Sequence, residues 1–284
     1  MRYSLCDGWE FTPRWSGEFA AGEGAAQPVR LPHTNRELPL HCIDPADYQM
    51  VCGYRRRLEA PPELEGKRLF LQLDGAAHIA TVYVNGVEAA AHRCGYTAFR
   101  VELTGLVRPG QNLLAVELDA SENPAIPPFG FVVDYLTYGG LYREAWLDVR
   151  ERGYITDVYV TTPSLTTADV KVSTDGAPEG SRLEAAILDG AGETVWTGAP
   201  GLAGVPSAKP WDTEHPVLYR CAVRLLAPDG AELDRQEAAF GFRTARFAAD
   251  GFYLNGKKTF LRGLNRHQSY PYVGYAAPEH LQRE

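Results

Sequence analysis

The chain has 284 residues, of which 45% are hydrophobic and 23% charged, so it is long enough for two β-type domains and too apolar to be disordered. Its net charge of -8 argues against a nucleic-acid partner, because such partners require a clustered basic face. No stretch approaches the ~20 apolar residues of a membrane span. The N-terminal residues reach the acidic Asp7 soon after Met1 and include no apolar signal segment. We therefore expect a cytoplasmic location.

The first strands are predicted by apolar and polar residues that alternate with a period of two, the pattern of a sheet with one buried face. Asn85-Gly86 joins two short strands, and this dipeptide accepts the positive φ angles of a type I′ hairpin turn. The other segments with strand character are 67–74, 97–103, 112–118 and 143–149. Short strands separated by turn residues are typical of a sandwich or jelly roll and unlike a βαβ fold.

Residues 121–138 interrupt these strands with a run rich in proline and aromatic side chains. We expect a long ordered loop, and long ordered loops in compact domains are often functional. Three arginines in a row, at 55–57, form the densest basic cluster, and we interpret them as a solvated strand edge.

A second series of strand patterns begins near Tyr154 and continues to about residue 242, with turns at Asp189-Gly190 and Pro228-Asp229-Gly230. About ninety residues of this kind predict an immunoglobulin-like sandwich. We place the first domain at residues 1–152 and the second at 153–245. The chain is therefore expected to be mainly β.

Residues 246–284 have a different character. Asn255-Gly256 predicts another hairpin, and residues 259–264 read as an apolar strand. Pro278 followed by Glu279 predicts the first turn of a helix, the one clear helix start in the sequence.

Several blocks of the sequence, in this order, resemble glycoside hydrolase family 2, the family of β-galactosidases and β-glucuronidases. The blocks are DGWEF (7–11), LPH (31–33), GYRRRLE (53–59), GAAHIATVYVNGVEAAAHRCGYTAF (75–99), DYLTYGGLYREAWL (134–147), KPWDTEHPVLYRCAVRL (209–225) and FLRGLNRHQSYPYVGY (260–275). The resemblance implies a jelly-roll sugar-binding domain, an immunoglobulin-like domain, and at 246–284 the incomplete start of a (β/α)8 catalytic barrel.

The activity implied by the resemblance is retaining hydrolysis of terminal β-D-galactosides, with β-glucuronides as the second choice. Retaining glycosidases need two carboxylates about 5–5.5 Å apart. In the family these are glutamates on later barrel strands, and the acid/base glutamate follows an asparagine. The sequence contains no Asn-Glu dipeptide, so we expect no catalytic residue in this chain and no turnover by it alone.

Four residues are expected to take part in substrate binding, all through the resemblance. His267 follows the predicted strand 259–264 and matches a sugar-hydroxyl contact; its neighbours Asn265 and Arg266 are expected mainly to brace the loop. Asp134 matches an aspartate that binds a sugar hydroxyl in related glucuronidases, and a turn-capping role is equally open. Its loop neighbours Phe131 and Tyr135 could form a stacking wall or pack the loop onto the domain.

No metal site is expected from this sequence, because its five cysteines form no C-x-x-C pair and its histidines show no ligand spacing. The resemblance allows Mg²⁺ or Na⁺, and a homo-oligomer, in the full-length enzyme. Two other functions stay open: a stand-alone carbohydrate-binding module, and an assembly piece that complements a missing part. The apolar strand 259–264 would lack partners, so we expect poor solubility unless residues beyond about 245 are removed.

Overall fold

The computed structural model describes residues 1–39, 41, 43–129 and 135–283. The chain forms two compact units, Met1–Val149 with Arg266–Glu284, and Arg150–Asn265. The described residues include no helix that is long and apolar enough to cross a membrane.

The first unit is a sandwich of two antiparallel sheets. Its strands are β1 (Arg2–Ser4), β2 (Trp9–Thr12), β3 (Gln27–Val29), β4 (Val51–Ala60), β5 (Arg68–Leu73), β6 (Ile79–Val84), β7 (Val87–Arg93), β8 (Phe99–Glu102), β9 (Gly110–Asp119) and β10 (Ala145–Arg150). One sheet has six strands in the order β3-β2-β4-β9-β6-β7, and the other has four in the order β1-β10-β5-β8. Helix α1 spans Gly17–Ala20, and α2 spans Glu279–Arg283.

Alternation along the strands builds the core of this first unit. In β6, Ala80, Val82 and Val84 point inward while the residues between them are partly exposed. The inward side chains meet those of the other sheet, such as Leu71 and Leu147. Each valine or leucine side chain among them contributes ~1.5–3 kcal/mol when it leaves water, so the period of two determines which face of the strand is buried.

The strands of the second unit are β11 (Tyr154–Ser164), β12 (Thr167–Asp175), β13 (Arg182–Leu188), β14 (Thr194–Gly198), β15 (Leu202–Gly204), β16 (Tyr219–Leu226), β17 (Glu232–Phe240), β18 (Ala245–Ala248), β19 (Gly251–Leu254) and β20 (Lys257–Lys258). A three-stranded sheet, β11-β12-β15, and a four-stranded sheet, β14-β13-β16-β17, form a sandwich. A further small sheet has the order β18-β19-β20. Buried residues from both sheets, among them Val170 of β12, Ile187 of β13 and Val223 of β16, form a separate core.

The structure confirms the mainly β fold and both Asn-Gly hairpins. Asn85 and Gly86 have φ angles of 51° and 82° between β6 and β7, and Asn255 and Gly256 have 51° and 78° between β19 and β20. The helix predicted after Pro278 is α2. The domain limits at 152 and 245 stay predictions.

The interpretation of residues 55–57 as a solvated edge is wrong for Arg55. Strand β4 is central, between β2 and β9, and Arg55 is 7% exposed. Its guanidinium donates to a Glu10 carboxylate oxygen at 2.5 Å and to the carbonyl oxygens of Phe19 and Glu23, and it lies over the Phe19 ring. These partners satisfy a charge that would otherwise be too costly to bury.

Helix α1, which carries Phe19, has no counterpart in the sequence-based prediction. Ser16 is its N-cap, and the Ser16 hydroxyl accepts a hydrogen bond from the Phe19 amide at 3.2 Å. The Phe19 ring packs against Gly53, where an added Cβ would lie 2.9 Å from the ring. A helix of four residues is too short to show an apolar period, and for this reason the sequence did not reveal it.

The apolar strand predicted at 259–264 is also wrong. These residues form no strand, and Phe260, Leu261 and Leu264 are 82%, 62% and 98% exposed. A strand requires a neighbour for its backbone N–H and C=O groups. The Thr259 amide donates to the Phe252 carbonyl oxygen of β19 at 2.8 Å, but no strand of the described residues pairs with residues 260–264.

Candidate functional site

The chain segment that follows residue 265 packs on the first unit and brings distant residues together there. Leu38 and Tyr272 form an antiparallel bridge, in which the Tyr272 amide donates to the Leu38 carbonyl oxygen at 3.0 Å. The Arg143 guanidinium donates to the Tyr275 carbonyl oxygen at 2.5 Å. In turn, the Tyr275 hydroxyl donates to the Leu136 carbonyl oxygen at 2.9 Å. Three separate stretches of the first unit therefore hold this segment.

A tight turn gives the segment its shape. The amides of Tyr270 and Gly274 donate to each other's carbonyl oxygens at 3.1 and 2.9 Å. Gly274 has a φ of 54°, a left-handed conformation that favours glycine. The turn sets Tyr275 against the tyrosines of the first unit.

Tyrosine rings line the contact between the segment and the first unit. The Tyr275 ring centroid lies 4.7 Å from that of Tyr138 and 5.7 Å from that of Tyr142. The Tyr142 hydroxyl donates to the Gly95 carbonyl oxygen at 2.6 Å. Burial raises the pKa of Tyr142, and burial together with neighbouring tyrosines raises the pKa of Tyr275, so both phenols stay protonated and act as donors.

A cavity of about 250 Å³ opens beside these rings. Its lining combines apolar side chains, including Leu38 and Leu136, with the polar groups of Tyr138, Ser269 and Tyr270. Aromatic faces together with a few hydroxyl groups suit a small polar ligand that also carries C–H surfaces.

The imidazole of His267 is exposed and lies against Tyr135, with ring centroids 4.6 Å apart and an interplanar angle of 88°. Tyr135 also shares a hydrogen bond of 2.5 Å with the hydroxyl of Tyr96. His267 is therefore held beside the Pro-rich loop of the first unit, 132 positions away from Tyr135 in the sequence.

The four residues predicted to bind substrate lie in different parts of the chain, and one of them is not described by the structure. Asp134 lies outside the described residues, and so does Phe131. His267 and Arg266 belong to the first unit and are exposed, whereas Asn265 is the last residue of the second unit and is also exposed. The roles expected for all four stay predictions.

Sequence reasoning missed three residues that shape this site: Tyr96, Arg143 and Tyr275. Each lies within a block that carries the family resemblance, but none was singled out. Their partners lie 39, 132 and 139 positions away, and no local pattern reveals a pairing over such distances.

Comparisons with known proteins agree with this architecture. Residues 37–127 match the sequence profile described as "Glycosyl hydrolase 2 galactose-binding domain-like", and residues 153–243 match "Glycosyl hydrolases family 2". A β-galactosidase of Thermoanaerobacter pseudethanolicus is 34% identical over 94% of this chain, and a β-glucuronidase of Bacteroides fragilis is 32% identical over 99%. The chain spans 38% and 43% of the length of these two curated relatives.

The crystal structure of a Bacteroides uniformis β-glucuronidase superimposes with a TM-score of 0.87 at 26% identity. The match covers 100% of this chain and 37% of that one. The two profiles, the relatives and the shared fold all lead to the same family. The chain therefore belongs to glycoside hydrolase family 2, whose N-terminal domains it matches.

Proposed function

We propose that this chain is the N-terminal part of a retaining glycoside hydrolase that releases terminal β-D-galactosyl residues. The observation that carries the proposal is the position of His267, which the first unit holds against Tyr135 at the edge of its Pro-rich loop. A sugar site assembled from this loop and from the segment after residue 265 explains why the segment packs here.

In this proposal the chain binds and orients sugar but does not cleave it. A retaining mechanism requires two carboxylates, one as nucleophile and one as acid/base. The sequence contains no Asn-Glu dipeptide, and a (β/α)8 barrel takes ~250 residues, whereas roughly forty follow the second sandwich. Since the chain spans less than half of its relatives, we place both catalytic glutamates in a part of the protein that this sequence does not include.

His267 is proposed to contact a sugar hydroxyl. A neutral imidazole can donate from one nitrogen and accept at the other, which suits a ligand whose hydroxyls do both. Asp134 immediately precedes Tyr135 in the sequence, and its carboxylate would accept hydrogen bonds from two hydroxyls. Asn265 and Arg266 are proposed to brace the loop that carries His267.

A galactoside is preferred to a glucuronide on the basis of the relatives. The Thermoanaerobacter relative, a β-galactosidase, is 34% identical over 94% of this chain, and the β-glucuronidase of Bacteroides fragilis is 32% identical over 99%.

The test is to express the whole reading frame that contains codons 1–284, next to the 284-residue chain alone. Nitrophenyl β-D-galactoside and nitrophenyl β-D-glucuronide serve as substrates. We expect the whole product to hydrolyse the galactoside faster, His267→Gln to reduce that rate, and the chain alone to show no turnover.

If the 284-residue chain alone hydrolyses a substrate and His267→Gln abolishes this activity, the catalytic glutamates do not lie outside this sequence, and that part of the proposal is contradicted. Faster hydrolysis of the glucuronide by the whole product would contradict the choice of sugar. A reading frame that stops directly after codon 284 would favour the carbohydrate-binding or assembly module.

A further inference from the structure

We propose that Tyr96 is a positioning residue for His267 and acts through the hydroxyl of Tyr135. The inference deepens the proposed function and rests on it, because it assigns how the sugar-contacting imidazole is held. Three rings from distant parts of the sequence form one connected line: Tyr96, Tyr135 and His267.

The contact between Tyr135 and His267 fixes the angle between the two rings. At a centroid distance of 4.6 Å and an interplanar angle of 88°, they adopt the edge-to-face arrangement that aromatic pairs prefer. His267 is otherwise exposed, and its own loop contributes a backbone bond from the Ser269 amide to the His267 carbonyl oxygen. The orientation of the His267 imidazole therefore depends on the position of the Tyr135 ring.

The hydroxyl of Tyr96 determines the position of the Tyr135 ring. The two phenol oxygens are 2.5 Å apart and share one hydrogen bond. Burial, and then this hydrogen bond, raise the pKa of Tyr96. Tyr96 consequently keeps its proton throughout the neutral range, and the bond to Tyr135 persists there.

Tyr96 can serve as a fixed point because the backbone next to it is immobilised. The Gly95 carbonyl oxygen accepts from the Tyr142 hydroxyl, and the Gly95 amide donates to the Pro127 carbonyl oxygen at 2.8 Å. There is little free space around Gly95, since an added Cβ would lie 3.1 Å from Cδ of Pro128. A rigid support of this kind holds a binding group within a fraction of an ångström of its working position.

The experiment uses the imidazole signals of the 284-residue chain in a ¹H–¹⁵N NMR spectrum. The chain has seven histidines, and the His267→Gln variant identifies the signals of His267 by their loss. Tyr96→Phe keeps the ring and removes only the oxygen. We expect it to shift the His267 signals while those of the histidines far from Tyr96 stay in place.

Two further variants make the result decisive. Tyr159→Phe, on a tyrosine of β11 that is 58% exposed, is the matched control and should leave the His267 signals unchanged. Tyr135→Leu removes the ring that touches His267 and should shift those signals at least as much as Tyr96→Phe. Unchanged His267 signals in a folded Tyr96→Phe variant overturn the proposal.

Failure of the positioning role and failure of the proposed function are distinguishable. In the whole hydrolase we expect Tyr96→Phe to lower kcat/KM about tenfold, which corresponds to ~1.4 kcal/mol, and His267→Gln to lower it further. If the signals shift but His267→Gln retains full activity, the positioning stands and the proposed function fails. If His267→Gln is inactive and the signals do not shift, only the positioning role fails.

Discussion

Tyr138 and Gly274 fit together in the first unit only because residue 274 has no side chain: a Cβ there would lie 2.4 Å from Cδ1 of Tyr138. The two residues are 136 positions apart, and their contact brings the segment after residue 265 against the tyrosine cluster. The close approach at Gly274 thus adds to the hydrogen bonds with Leu38, Leu136 and Arg143 that hold this segment.

We predict that Gly274→Ala loosens this segment. The new methyl group meets the Tyr138 ring, and residue 274 has a positive φ, so the expected cost is about 1–3 kcal/mol. Hydrogen exchange at the Tyr272 amide, which donates to Leu38, should become at least tenfold faster. Gly263→Ala is the control, because no atom lies within 4 Å of its added Cβ. Equal exchange rates in both variants would show that the contact has no influence on docking.

We predict that Arg55→Met destabilises the chain much more than Arg57→Met in the same strand. Arg55 is buried and bonded to Glu10 and to carbonyl oxygens, which would lose their donor, whereas Arg57 is exposed. The expected loss is about 2–3 kcal/mol for Arg55, since Glu10 keeps partial access to water, and under ~0.5 kcal/mol for Arg57. Urea unfolding measures both values, and a similar midpoint for the two variants would contradict a structural role of Arg55.

We predict that His33 makes the chain less stable as the pH falls from about 6.5 to 4. Burial lowers the pKa of His33 from 6.5 to about 4, so over this range the unfolded chain binds a proton that the folded chain does not. Nδ1 of the His33 ring shares a hydrogen bond of 2.9 Å with the Tyr54 hydroxyl. The stabilisation is complete above pH 6.5, and roughly 2–3 kcal/mol is lost by pH 4.

Unfolding free energies of the natural chain and of His33→Gln, measured by urea titration at several pH values, test this prediction. The carboxylates titrate alike in both proteins, so the difference between the two curves isolates His33. A difference that stays constant between pH 7 and pH 4 would rule out the contribution of His33.

The fourth prediction concerns solubility. The sequence suggests that removing residues beyond about 245 improves it, but residues 266–283 cover Tyr138, Tyr142 and Ala77 of the first unit. We therefore expect truncation after 245 to expose new apolar surface. Replacing the exposed side chains of Phe260, Leu261 and Leu264 by serine should raise solubility without this cost. Soluble yield and binding of an apolar dye compare the two designs, and a more soluble truncated chain would contradict the prediction.

The sequence by itself determined the elements whose cause is local. Asn-Gly at 85–86 and at 255–256 reaches positive φ without strain, so both hairpins follow from two residues each. Alternation in β6 and β16 determines which side chains face inward, because successive residues of a strand point to opposite sides. The ordered blocks of motifs also sufficed for the family.

Only the tertiary structure decided which distant residues meet. The burial of Arg55 depends on Glu10 and on the short helix α1, which no sequence pattern predicts. Residues 259–264 form no strand because a strand needs a paired neighbour. The line from Tyr96 through Tyr135 to His267 joins side chains 39 and 132 positions apart. Such contacts arise when whole elements pack together, and packing depends on the summed shape of many side chains, which no local spacing encodes.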